Sequence, residues 1–252
     1  MRTIWVTGGS SGIGFATAKE FLKNNWRVII SSSNIEKLNN AGERLKKYVN
    51  KNNLHLLKCN IVSKNEVEKS INFIEKKIAN IDIALLNAAA YSPNKNQNFD
   101  IENYELLINV NLKGTLYCIN VLKDFMKERN NTIAIVSSPI GYRGWPTSGA
   151  YGMTKAAQLN LAESLYFDFK KLKINISVIN PGFIDTEATR LNNFKMPFLK
   201  SADFAAQKIY NGLVNKHKFE IIFPFFLVFV VKFMRILPYK LYFYVWKKLG
   251  NF

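Results

Sequence analysis

Short apolar runs alternate with longer amphipathic ones along this chain. Six runs rich in β-branched and apolar residues read as strands, at Ile4–Thr7, Arg27–Ser31, Leu54–Asn60, Ile83–Asn87, Thr132–Ser137 and Asn175–Asn180; Phe219–Phe223 is a seventh candidate. Helical periodicity fills the intervals at 13–24, 35–51, 64–79, 101–128, 152–172 and 202–215. Strand and helix alternating at this spacing predict an α/β fold with a parallel sheet and helices on both faces. Right-handed crossovers make that sheet doubly wound, with its ligand at the carboxyl ends of the strands. No internal repeat or low-complexity linker divides the chain. The expected organisation is a dinucleotide-binding and catalytic unit over 1–218, followed by a C-terminal strand and amphipathic tail over 219–252.

The first strand closes on Thr7 and runs into Gly8, Gly9, Ser10, Ser11, Gly12, Ile13 and Gly14, where a helical pattern begins at once. Glycines here permit a tight turn and let backbone amides approach a diphosphate at the positive end of the helix. A glycine cluster alone is a common turn; its position between a first strand and a helix is what points to a cofactor. The end of the second strand selects which one. A carboxylate there would bind the ribose hydroxyls of NAD and repel a 2′-phosphate. This chain reads Ser31-Ser32-Ser33-Asn34 instead. Hydroxyls and amides can donate to a phosphate, so NADP(H) is expected, with NAD(H) the alternative. The plainer reading is that three serines merely end a strand.

Thr7 to Gly14 has the spacing TGxxxGxG, and in this the sequence resembles the short-chain dehydrogenase/reductase family. The resemblance extends to about residue 215. Asn87-Ala88-Ala89 is similar to the family's Asn-Ala-Gly, with Ala89 departing from it. Asn111 lies in a matching NVNLKG stretch, and Ser138, Tyr151 and Lys155 match the catalytic series. Asn180-Pro181-Gly182, with Ile184 and Thr186 after it, resembles the segment that packs on the nicotinamide side. Asn60 and Ile61 stand where the family holds the adenine, Asn60 in place of its usual aspartate. The arginine that many NADP-dependent members carry is absent from the second strand end and from Ser11. The resemblance implies a Rossmann-like single domain, a homodimer or homotetramer built on the helices at 101–128 and 152–172, and hydride transfer between a nicotinamide cofactor and a carbonyl or alcohol.

The residues support that chemistry independently. Reducing a carbonyl needs a proton donor for the developing alkoxide, and free tyrosine, with a pKa of about 10, is a poor base near neutrality. Tyr151 and Lys155 are four residues apart, which on a helix places them on one face. A cation there would favour the phenolate and lower the Tyr151 pKa. Ser138 follows the fifth strand, where its hydroxyl could stabilise charge on the substrate oxygen. The resemblance adds ribose contacts for Lys155 and, for Asn111, a bound water relaying protons from Lys155 to solvent. Singly, each has an ordinary reading: a solvated helix face, a turn serine, a polar helix position. Their joint order carries the assignment. A cofactor-binding sensor or scaffold that lost the chemistry is the rival, yet both Tyr151 and Lys155 are kept. An epimerase or dehydratase would need a longer substrate domain than the residues after Pro181 provide.

Composition narrows the rest. Across 252 residues a hydrophobic fraction of 48% is that of a globular protein. Cys59 and Cys118 build no disulfide framework and match no zinc spacing, and His55 and His217 lie far apart, so no metal site and a reduced cytoplasmic home are expected. No signal peptide is read at the N-terminus. The net charge of +17 comes from dispersed lysines without a run of five or more, which argues against nucleic acid. An apolar stretch with Phe194, Met196, Pro197 and Phe198 follows Gly182 and suits either a hydrophobic substrate or plain packing. Asp185 and Glu187 read as a solvated pair. Residues 221–249 are apolar, aromatic and basic, yet the run from Ile221 to Val231 is too short for the roughly 20 residues of a span. This tail suits contact with a membrane surface, at the inner face of a bilayer, a subunit interface, or a cap on the substrate pocket.

Overall fold

The computed structural model describes residues 1–50, 52–92 and 99–250. Its centre is a sheet built from β1 (Thr3–Thr7), β2 (Arg27–Ser32), β3 (Leu54–Lys58), β4 (Ile83–Leu86), β5 (Asn131–Val136) and β6 (Ile174–Pro181). Two two-residue strands follow, β7 (Ile184–Asp185) and β8 (Lys200–Ser201), and then β9 (Glu220–Phe223). The main sheet has seven strands in the order β3-β2-β1-β4-β5-β6-β9, every pairing parallel. It is the Rossmann-like, doubly wound arrangement in one domain. β9 carries the sheet beyond residue 218, pairing with β6 from Val178↔Glu220 to Pro181↔Phe223.

A central parallel strand is covered on both faces, so it must be apolar at nearly every position. β1 and β5 are buried throughout. Trp5, Ile29, Ile133 and Ile176 turn to one face, under α3 (Lys64–Phe73), α5 (Gly114–Met126) and α6 (Gly149–Lys171). Ile4, Val28, Ala134 and Ile179 turn to the other, under α1 (Gly12–Lys23), α2 (Ile35–Leu45) and α7 (Ala202–Tyr210).

The helical pattern at 101–128 is not one regular helix. α4 (Ile101–Leu107) leads into a π-helical turn at Ile108–Lys113 before α5 begins. A π turn inserts a residue without ending the helical pattern, so the sequence period conceals it. β3 also stops at Lys58, short of Asn60. β7 and β8 pair with each other in a small separate sheet, an element that alternation could not reveal in two residues. The tail forms α8 (Phe225–Ile236) and α9 (Tyr239–Leu249). Among the described residues no helix is long and apolar enough to cross a membrane.

Candidate active site

Sheet order reverses between β1 and β4, and a crevice opens at their carboxyl ends. The glycine loop forms one wall. Gly8 has φ +63°, and a Cβ there would lie 2.8 Å from Ala88 Cα. At Gly14 a Cβ would meet Gly8 O at 2.4 Å and Asn87 Nδ2 at 2.6 Å. Only glycine lets the loop press this closely on the exit of β4. Asn87 fastens the two: its Nδ2 donates to Thr7 O and Gly8 O, both at 3.1 Å. Ser11 occupies the N-cap of α1 without capping it through its side chain, which leaves the first-turn amides for a ligand. A cradle of this shape, closed to any side chain and edged by free helix amides, fits a dinucleotide diphosphate.

Gly8, Ser10, Ser11, Gly12 and Ile13 line a cavity of about 310 Å³ with Asn87, Ala88 and Ala89. Pro181, Gly182, Ile184 and Thr186 face them across it. Ser138, Tyr151 and Lys155 line the same cavity. Seven residues selected from sequence lie outside the lining. Gly14 sits beneath the loop. Ser32 Oγ accepts from Ser10 Oγ (3.2 Å), which itself lines the cavity, and from Asn34 N. Ser33 is exposed, and Asn34 Oδ1 accepts from Lys37 N at 2.8 Å, capping α2. Asn60 is turned to its own loop, its Oδ1 accepting from Val62 N, and buried Ile61 packs on Gly114. Asn111 is fully buried behind the cavity wall.

α6 carries Tyr151, Lys155 and Gln158 at helical spacing. Lys155 is 1% exposed, and its Nζ donates to Val136 O (2.8 Å) and Gln158 Oε1 (3.0 Å). Burial among neutral partners lowers its pKa to about 7. Its Nζ lies 5.4 Å from the Tyr151 ring centroid. The Tyr151 pKa is raised, not lowered: burial disfavours the phenolate, and Tyr91, packed edge-on with ring centroids 4.9 Å apart, adds to the effect. The sequence-based expectation of a lowered phenol is thus corrected, because the Tyr151 hydroxyl is buried; Lys155 directs two N–H groups to the sheet and to Gln158.

Asn111 also differs from expectation. It lies in the π turn, and its side chain accepts from Ala90 N (2.8 Å) and donates to Ala90 O and Thr154 Oγ1 (3.1 Å each). Its carbonyl accepts from Gln158 Nε2 (2.8 Å) and Thr115 Oγ1 (2.7 Å). A carbonyl has two lone pairs, and both are taken. Gln158 therefore bridges Lys155 and Asn111 directly, where the family resemblance implies a water. Gln158 is 1% exposed. Sequence reasoning missed it, although its position three residues after Lys155 places it on the same helix face.

Ser138 lies two residues beyond β5, half-buried, with its Oγ accepting from Ile140 N at 3.4 Å. Asp185 pairs with Arg190 (2.9 Å) at the surface, and Glu187, which lines the cavity, pairs with Lys37 (3.0 Å). Tyr91 and Trp145 also line the cavity and went unnoticed in the sequence; Leu227, in the tail for which a pocket cap is one of three readings, lines it too.

Residues 2–196 match the family described as short chain dehydrogenase. The chain belongs to that family. The 3-oxoacyl-[acyl-carrier-protein] reductase FabG of Rickettsia prowazekii is 32% identical over 196 residues, 77% of either chain. Among solved structures, ElxO with NADP bound is 26% identical with a TM-score of 0.79, covering 88% of this chain and 97% of its own. A short-chain dehydrogenase/reductase from Burkholderia phymatum in complex with NAD shares the fold, at 16% identity and a TM-score of 0.81, over 92% of each chain. This short-chain dehydrogenase is an oxidoreductase dependent on a nicotinamide cofactor. The family match stops before α8 and α9.

Proposed function

We propose that this chain reduces a hydrophobic ketone or aldehyde with NADPH, or oxidises the matching alcohol, with Tyr151 as general acid/base. The observation that carries this reading is that Tyr151, Ser138 and Lys155 line one cavity with the glycine loop. A bound nicotinamide dinucleotide supplies the hydride in reduction and accepts it in oxidation. As the carbonyl carbon gains a C–H bond, the Tyr151 hydroxyl gives its proton to the carbonyl oxygen; in oxidation the phenolate takes it back. Burial keeps the phenol protonated at neutral pH, the form that reduction needs. Ser138 Oγ donates to the substrate oxygen as negative charge develops there. In its ammonium form Lys155 has three N–H groups and commits two to Val136 and Gln158, leaving one for the ribose. Asn111 acts by position: it pins the loop after β4 through Ala90 and fixes Gln158 behind Lys155.

Two cations support NADP(H). Lys58 is opposite Ser32 in the β2–β3 ladder, and registered neighbours project to the same face. Lys37 stands in the first turn of α2, just past Ser33 and Asn34, and would exchange its exposed pair with Glu187 for the phosphate. Neither Ser32, Ser33 nor Asn34 brings a charge that would repel a 2′-phosphate. The substrate end is walled by Phe183, Phe194, Trp145 and Leu227, which suits an apolar chain next to the carbonyl. A 3-oxoacyl group, named for the Rickettsia relative, is a ketone of that kind. Exposed Leu106, Leu116, Met153 and Phe167 on α4, α5 and α6 support a homodimer or homotetramer through those helices. Free, buried Cys59 and Cys118 support a reducing, cytoplasmic setting.

The test is NADPH consumption against a panel of ketones and aldehydes. Tyr151→Phe is expected to lose about 10²- to 10⁴-fold in turnover while binding NADPH as the parent does. Near-parental turnover by that variant would overturn the assignment.

A further inference from the structure

α8 and α9 turn their apolar side chains the wrong way for a water-soluble surface. On α8, Phe225, Phe226, Phe229, Phe233 and Ile236 are each more than half exposed. On α9 so are Tyr239, Phe243, Tyr244 and Leu249. Isolated exposed apolar residues need no explanation, but a concentration of this size on two successive helices marks a contact surface.

These helices are not loosely attached. Val228 and Val231 on α8 are buried in the core, and Tyr242 of α9 is 3% exposed. Lys232 pairs with Glu220 of β9, which also accepts from Tyr142. Arg143 donates to the carbonyls of Met234 (2.8 Å), Arg235 (3.0 Å) and Leu237 (2.6 Å), and its guanidinium lies over the Tyr242 ring at 3.9 Å. The outward aromatics are thus held in place by the folded body.

Charge identifies the partner. Residues 221–250 contain five basic residues and no acidic one. Lys232 is used internally, but Arg235, Lys240, Lys247 and Lys248 are exposed. A second copy meeting this face about a two-fold axis would set like charges against each other. A bilayer with anionic headgroups accepts both features, with rings at the interface and cations on the lipid phosphates. The helices are too short to span.

The surface is continuous with the cavity. Leu227, between exposed Phe226 and buried Val228, lines it. Trp145 lines it too and packs against Trp246 of α9, with ring centroids 5.5 Å apart. We propose that α8 and α9 seat the protein on an anionic bilayer surface and that its carbonyl substrate enters the cavity from that bilayer. The second half rests on the reductase reading above; the first does not.

The experiment uses the full chain with vesicles of phosphatidylcholine alone or mixed with phosphatidylglycerol. Sedimentation should show at least about tenfold tighter binding to the mixed vesicles, weakened by salt. The variant Phe229→Ser/Phe233→Ser/Phe243→Ser should lose about tenfold or more of that binding and keep NADPH turnover of a water-soluble aldehyde. Its turnover of a long-chain aldehyde carried in the vesicles should fall. Equal or absent binding to both vesicle types overturns the docking surface. So does a variant that converts a parental dimer to monomer, or one that loses soluble turnover while remaining folded, since these identify a subunit contact and a pocket cap. Unchanged turnover of the vesicle-borne aldehyde overturns delivery alone. Failure of the reductase reading shows separately, as no NADPH consumption by parental protein that still binds vesicles.

Discussion

The central sheet and the two C-terminal helices use similar residues to opposite ends. In β1 and β5 apolar side chains are buried on both faces, and burial fixes their positions. In α8 and α9 Phe225, Phe229, Phe233 and Tyr239 are as apolar and face outward, while a few polar anchors hold the backbone. Apolar content alone therefore does not locate a core. Inward residues contribute to stability, whereas outward ones held rigidly are free to serve a partner.

That contrast can be broken in graded ways. The largest stability effect is expected in the sheet: Ile133→Ala removes a fully buried side chain and should cost about 2–5 kcal/mol in denaturant unfolding. A loss below about 1 kcal/mol would mean that the centre is loosely packed. Lys155→Met comes next and is read by pH. The unfolded chain keeps its lysine proton to a pH of about 10.4, whereas the folded protein keeps this one only to about 7. Between those values the unfolded state binds more protons, so parental stability rises with pH there. Lys155→Met should flatten that rise, and an unchanged slope would show that Lys155 is not titrating early.

A smaller effect is expected at Gln158. Replacement by Leu removes an acceptor of Lys155 and should move the basic limb of the pH–rate profile for reduction down by about one unit. Gln158→Glu should move it up, and a common direction for both would point to a packing role alone. The smallest effect belongs to the tail. Phe233→Ser should change unfolding stability by no more than about 0.5 kcal/mol, since Phe233 is 56% exposed.

The sequence made the sheet legible because parallel strands covered on both faces must be apolar runs, and because the glycine loop stands where a strand meets a helix. Ser138, Tyr151 and Lys155 were legible through spacing and order. The Gln158 bridge was not, because one glutamine on a helix reads as a solvated position until Asn111 is known to lie behind it. The π turn stayed hidden because one inserted residue shifts the helical phase without erasing it. Direction of the Tyr151 shift was misread for a related reason: spacing puts Lys155 on the correct face but does not say how deeply the phenol is buried. In the tail, composition exposed an anomaly, while the outward face became visible only once Arg143, distant in sequence, was seen to hold it.

Arg143 is in the short connection between β5 and α6 that also supplies Trp145 and Ser148 to the cavity. One guanidinium thus serves as a fulcrum shared by the C-terminal helices and the cavity wall. The ends of α8 and α9 are tied to the same connection that walls the cavity.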